Sequence, residues 1–228
     1  MNKLALIAFL VIGTNAFAQS KARIAESPTE FVPAEYIVFE KIQGDLNGDN
    51  QTDYVLIIKG TAKDKFVKDQ YRGELDRNRR GIIVALRTQN GYELILENRD
   101  CFSSENEDGG VYFAPELKVS IAKGTLRIHY AHGRYGHWTY SFRYQNSDFE
   151  LNGYDSSQNR GPVVERSTSI NLLTKKMRIS ENINANAEGG DEKFKERWKK
   201  FSLAKSIRLR DIADFDDFDV EGFLGLRK

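Results

Sequence analysis

Between Tyr36 and Ser180 the chain is a succession of short apolar runs, alternating with polar residues and cut by turn formers. A two-residue period sends successive side chains to opposite faces, which suits a strand, and runs this short suit strands better than helices. The pattern predicts strands at 36–42, 53–59, 81–87, 92–98, 117–121, 125–131, 137–145, 149–155, 167–173 and 176–180. Most are hairpin partners. Asn90-Gly91 lies between Ile82-Ile83-Val84-Ala85-Leu86 and Tyr92-Glu93-Leu94-Ile95-Leu96, a turn signal because both residues tolerate positive φ. Lys123-Gly124 and Asn146-Ser147 repeat it more weakly. Tyr140, Phe142 and Tyr144 form an aromatic row, read as core packing rather than as a ligand platform. The expected class is mainly β: one antiparallel meander domain over 19–228, as sandwich, barrel or propeller-like sheets, with a short helix or edge strand near the C-terminus.

Two segments depart from this period. Residues 61–80 are highly charged with few apolar side chains, so a long excursion, with room for a short helix, is expected rather than a strand. In 191–203, Phe194, Trp198 and Phe201 fall at i, i+4 and i+7, which fits an amphipathic helix; a twisted edge strand is the alternative. The tail, 209–218, is acidic with spaced apolar residues and is expected to dock across the end of the domain. With 228 residues and no repeat or low-complexity linker, one domain can bury a proper core.

Residues 1–18 place Lys3 before an apolar run and close on Ala16-Phe17-Ala18, the three-part pattern of a secretory signal peptide. The run, Leu4 to Gly13, falls short of the ~20 residues that span a bilayer. Cleavage after Ala18 and a periplasmic or secreted chain, with no transmembrane segment after cleavage, are expected. The 34 Lys and Arg against 33 Asp and Glu leave no whole-chain field for nucleic acid. Cys101 is the only cysteine, which excludes internal disulfides and Cys-pair zinc sites.

The most specific motif is Gly44-Asp45-Leu46-Asn47-Gly48-Asp49-Asn50-Gln51-Thr52-Asp53, running directly into an apolar strand. Asp45, Asn47, Asp49 and Asp53 occupy positions 1, 3, 5 and 9 of a calcium loop, and the Gln51 carbonyl would be position 7. Hard oxygens at those offsets let one tight turn surround a Ca²⁺ ion. Asn50 stands where glycine is usual and is the other residue that readily turns left-handed. Leu56 stands where an EF-hand has its bidentate Glu, and a strand replaces the exiting helix. The alternative is an Asx-rich turn that needs no metal.

Asp-x-Asn-x-Asp-x-x-x-Asp entering a strand resembles the calcium loop of FG-GAP or VCBS-type repeats of β-propellers, although the chain has one such unit and a propeller needs several. A wider resemblance runs through 76–82, 109–112, 124–130, 138–145 and 148–155. Those segments are similar to a group of uncharacterised secreted proteins and lipoproteins of Gram-negative bacteria, Bacteroidetes especially. The resemblance implies a shared β-fold and an envelope location, and brings no catalytic residues.

Weaker signals remain. His129, His132 and His137 cluster around Arg134, Tyr135 and Trp138, and His132, Arg134 and Trp138 form a candidate ligand site for an anionic or sugar-like group. The bland reading is a glycine-hinged hairpin with a polar tip. Spacing shows no base for Cys101 or for the serines of 100–110, and Asp76-Arg77-Asn78-Arg79-Arg80 reads as a salt-bridged turn. The leading expectation is thus an exported, calcium-stabilised, non-catalytic binding or envelope-structural module whose partner is an envelope protein or glycan. The alternative is an enzyme acting on an envelope glycan or peptide, with its site at the 129–138 hairpin and the 100–110 loop.

Overall fold

The computed structural model describes residues 23–107 and 116–226. The expected signal segment at 1–18 and the matching residues 109–112 lie outside them. The fold is mainly β and antiparallel, as expected. In chain order the strands are β1 (Ile24–Ala25), β2 (Tyr36–Gly44), β3 (Asp53–Gly60), β4 (Phe66–Asp69), β5 (Gly73–Asp76), β6 (Arg80–Thr88) and β7 (Gly91–Phe102). They continue as β8 (Glu116–Ala122), β9 (Thr125–Ala131), β10 (Gly136–Gln145), β11 (Asp148–Arg160), β12 (Val163–Asn171), β13 (Lys176–Asn182) and β14 (Phe194–Lys200). A four-residue helix, α1 (Val220–Phe223), closes the chain.

One sheet has the order β1-β7-β6-β3-β2 and a second is the meander β14-β13-β12-β11-β10-β9-β8. The central strands of the first, β3 and β6, are covered on both sides, which explains their near-continuous apolar runs. Val55, Ile57, Ile82, Val84 and Leu96 face the main core. Leu56, Ile58, Ile83 and Ala85 pack on the other side beneath Phe31, which a 3₁₀ turn at Pro28–Phe31 delivers. The meander is covered on one face only, so it alternates: Leu126, Ile128 and Tyr130 point into the core while Arg127 is exposed. Tyr140 and Phe142, the first two members of the aromatic row, are fully buried core residues.

The tail docks as expected. Leu209, Ile212 and Phe215 are buried in the main core, and Asn98 Nδ2 donates to the carbonyls of Leu209 and Ile212 at 2.9 and 2.8 Å. Phe215 N donates to Cys101 O at 3.0 Å, and Arg79 pairs with Asp214 at 2.7 Å. The acidic stretch 214–219 is therefore pinned against the mouth of the meander.

One alternative is resolved and one expectation needs correction. Of the helix and edge strand left open for 191–203, the structure forms the edge strand β14, paired with β13 from Lys176↔Lys200 to Asn182↔Phe194. Four-residue spacing also satisfies a period of two, so Phe194 and Trp198 share a strand face as readily as a helix face. Lys195, Arg197, Lys199 and Lys200 charge this open edge, which discourages pairing with a second chain. The 61–80 excursion contains a short 3₁₀ turn at Lys63–Lys65, but also the β4–β5 hairpin. Its turn is built by Asp69, whose Oδ1 accepts from the amides of Tyr71 and Arg72 at 2.8 Å each. Side-chain to backbone bonds of this kind replace the apolar alternation that would have announced a strand.

Candidate functional site

The acidic loop joins β2 to β3 and is wound around its own carboxylates. Asp45 Oδ1 accepts from Gly48 N at 2.7 Å and Oδ2 from Asn50 N at 3.0 Å. Asp49 accepts from Gln51 N at 2.8 Å and from the Asn47 and Gln51 side-chain amides at 3.0 and 3.1 Å. Asn50 has φ 62°, the left-handed conformation expected of it. Asp53 is fully buried, and its oxygens accept from Leu46 N at 2.8 Å and from Arg87 N on β6 at 2.9 Å.

Burial pushes the Asp53 carboxyl up, against the pull of these two amides, and the charges of Asp49 and Asp45 push it further. The Gln51 amide holds Asp49 below the usual carboxylate range. A hollow beside the loop is lined by Asp45, Gly48, Asn50, Ile121 and Lys123. The donors Asp45, Asn47, Asp49, Asp53 and the Gln51 carbonyl are hard oxygens, and a carboxylate oxygen that accepts one amide keeps further lone-pair capacity. They suit Ca²⁺ in chemistry and in backbone winding. They do not stand as a closed cage, because the side chains are turned to the loop amides. Among the described residues no group of three or more His, Cys, Asp or Glu is arranged to hold a metal ion.

A second feature is a groove of about 270 Å³ between β10–β12 and the 215–221 segment. Trp138, Tyr154, Gln158 and Arg166 lie along the sheet wall, Tyr135 comes from the hairpin tip, and the tail supplies Asp216, Asp217, Phe218, Asp219 and Glu221. Tyr140 and Phe215 form its apolar base, with ring centroids 4.9 Å apart and edge to face. Arg166 Nη2 reaches both oxygens of Glu221, at 3.1 and 2.9 Å. Asp216 touches water at the mouth, yet packing around its carboxyl pushes its pKa up.

The candidate ligand residues are divided by the hairpin. His132 stacks on Trp138, centroids 3.8 Å apart, and Tyr130 follows at 5.8 Å. Arg134 is exposed on the 3₁₀ turn Gly133–Tyr135 and is absent from the groove lining. His129 and His137 stand with ring centroids 5.4 Å apart, and His129 Nδ1 meets Thr139 Oγ1 at 2.8 Å. His137 also borders the groove, but the His129–His137 pair and the His132–Trp138 stack are separate contacts, so the three histidines do not converge. The tail carboxylates are the groove residues that sequence reasoning did not find. Its acidity was visible, but not the strands it would meet.

Of the 100–110 segment, described to residue 107, the end of β7 contributes Phe102, packed 6.1 Å from the Tyr130 ring and 5.0 Å from Phe215, and beyond it lies Ser103, whose hydroxyl stands near Tyr130 and Asp216 without a well-formed bond to either. Cys101 is fully buried and its thiol is pushed up by burial, the reverse of an activated nucleophile. Glu105 is bound to Lys59, which also holds Asp76 at 2.8 Å.

Burial alone lowers the His132 pKa from its ordinary value of 6.5. A depressed folded-state value means that its contribution is complete above pH 6.5 and is lost as the pH falls toward the folded pKa. His132→Phe is expected to lessen the fall in melting temperature between pH 7 and pH 5. An unchanged pH profile would refute this.

No family model, curated protein or solved structure matches this chain. Fold and site therefore define its class: an antiparallel β-domain of two large sheets and a small hairpin, with a groove lined by aromatic and acidic side chains.

Proposed function

We propose that the chain is an exported, non-catalytic binding module of the bacterial envelope, periplasmic or secreted, stabilised by one Ca²⁺ at residues 45–53. The observation that carries the binding role is the groove: open, floored by rigid core aromatics and rimmed by polar groups from the tail. Sites of this kind orient a ligand with few polar groups over an apolar base. The inert state of Cys101 and the absence, among the described groove residues, of a serine hydroxyl bonded to a histidine ring favour binding over group transfer. No helix among the described residues is long and apolar enough to cross a membrane.

The binding role predicts that immobilised wild-type chain retains material from a Gram-negative envelope extract that Trp138→Ala does not. Equal retention by both removes the groove from the reading. Calcium enters through the donor set of the loop and the resemblance of its motif. At ten times Kd, a ligand specific to the folded state adds about 1.4 kcal/mol. For a chain of this size that raises the melting temperature by about 3–6 °C over an EDTA-treated sample. Equal melting temperatures with no heat on Ca²⁺ titration would remove the ion.

A further inference from the structure

We infer that the groove takes an organic cation, an alkyl-bearing ammonium group, seated over Trp138 and against Asp216 and Asp217. This rests on the groove being the ligand site and names the chemistry that it selects. The lining carries four carboxylates, Asp216, Asp217, Asp219 and Glu221, against the single guanidinium of Arg166. That guanidinium is already committed, since it holds Glu221 by both oxygens. Among the described residues neither Asp216 nor Asp217 forms an ion pair. The charges of Asp214 and Asp217 raise the Asp216 pKa beyond the effect of packing, against the pull of Arg79. An arriving cation would relieve that repulsion, and an anion would add to it.

The aromatic wall has the matching property. Trp, Tyr and Phe rings present a negative face that attracts a cation, most strongly from indole, and their hydrocarbon surface suits the methyl or methylene groups around an ammonium nitrogen. Trp138, Tyr135, Tyr154 and Phe218 provide such surface beside the carboxylates. The indole itself is held in place, stacked against His132 at 3.8 Å. Burial lowers the pKa of that imidazole and so works against its filling the role of the cation itself. A neutral sugar would use the rings and leave the charge unanswered.

The chain has two tryptophans, and Trp198 is exposed on β14, so Trp198→Phe leaves Trp138 as the only indole reporter. We would titrate this protein with choline, with a short acetylated peptide carrying one lysine, with 3,3-dimethyl-1-butanol as the uncharged isostere of choline, and with a neutral oligosaccharide. The expected result is saturable change with choline or the lysine peptide and at least about tenfold weaker binding of the isostere. Asp217→Asn should weaken the cation about tenfold without moving the melting temperature. The tighter of the two cations tells a quaternary ammonium from the primary ammonium of a lysine side chain. Isostere and choline binding alike, or cation binding indifferent to Asp217→Asn, would overturn the inference. If the cations fail while the oligosaccharide binds, or while envelope material is retained in a Trp138-dependent way, the cation is wrong and the module stands. If every probe fails and retention is independent of Trp138, both fail.

Discussion

Replacing Asp53 with alanine is expected to destabilise the fold by about 3 kcal/mol, through one buried and one part-buried amide that lose their acceptor. Asp53 is fully buried and bridges the acidic loop and the first sheet, accepting from Leu46 N at 2.8 Å and from Arg87 N at 2.9 Å. Leu46 is itself in the main core, so water has little access to its amide. An unpartnered buried N–H costs about 1–3 kcal/mol, and the Leu46 amide together with the part-buried Arg87 amide outweighs the relief of removing a desolvated carboxylate. That relief is real, because burial and the nearby Asp49 and Asp45 raise the Asp53 pKa. A raised folded value means that this contribution is present below the ordinary value of 3.8 and is lost as the pH rises through the folded pKa. At neutral pH the charge thus works against the fold, and a calcium ion beside it would reverse the sign. The same variant should therefore lose the calcium-dependent rise in melting temperature. Urea unfolding measures the first effect; a loss below about 1 kcal/mol would show that the loop relaxes and resolvates both amides.

The strands were legible wherever one rule operated alone. Ile82–Leu86 and Tyr92–Leu96 are apolar enough, and Asn90-Gly91 turn-prone enough, that nothing competes with a hairpin, and β6 pairs with β7 as read. The signal left both outcomes open where two periods coincide. Phe194 and Trp198 satisfy both a helix and a strand, and only pairing with β13, remote from any local pattern, settles which forms. It failed where side-chain caps replace burial, as Asp69 does in the β4–β5 turn.

The same division holds for function. The left-handed Asn50 of the acidic loop follows from local chemistry. The groove depends on bringing Asp216 and Asp217 to the same hollow as Trp138, nearly eighty residues earlier in the chain, and Phe215, packed beside Phe102 and Tyr140, carries them there. An acidic tail with spaced apolar residues announced that it would dock, and the topology alone decided where.

The hairpin that presents Trp138 supplies the other large effect. Gly136→Ala is expected to cost about 3–5 kcal/mol and to abolish binding in the groove. Gly136 opens β10 with φ 114°, outside the range that a side chain adopts comfortably, which alone accounts for about 1–3 kcal/mol. A methyl group there would also stand 1.9 Å from Ser157 O and 2.7 Å from its carbonyl carbon, on the neighbouring strand β11. Backbone is what must give way, because no flexible side chain takes up the overlap. Separating β10 from β11 at this end moves Trp138 relative to Ser157 and Gln158, and all three line the groove. Gly133→Ala separates the two causes. Gly133 also has positive φ, 54°, but nothing lies within 4 Å of the added methyl, so it should lose only about 1 kcal/mol and retain binding. Urea unfolding with Trp138 fluorescence, followed by titration of the groove, measures both variants. Equal losses in the two would mean that torsional strain alone matters at the tip and that the close approach of β10 to β11 does not hold Trp138 in position.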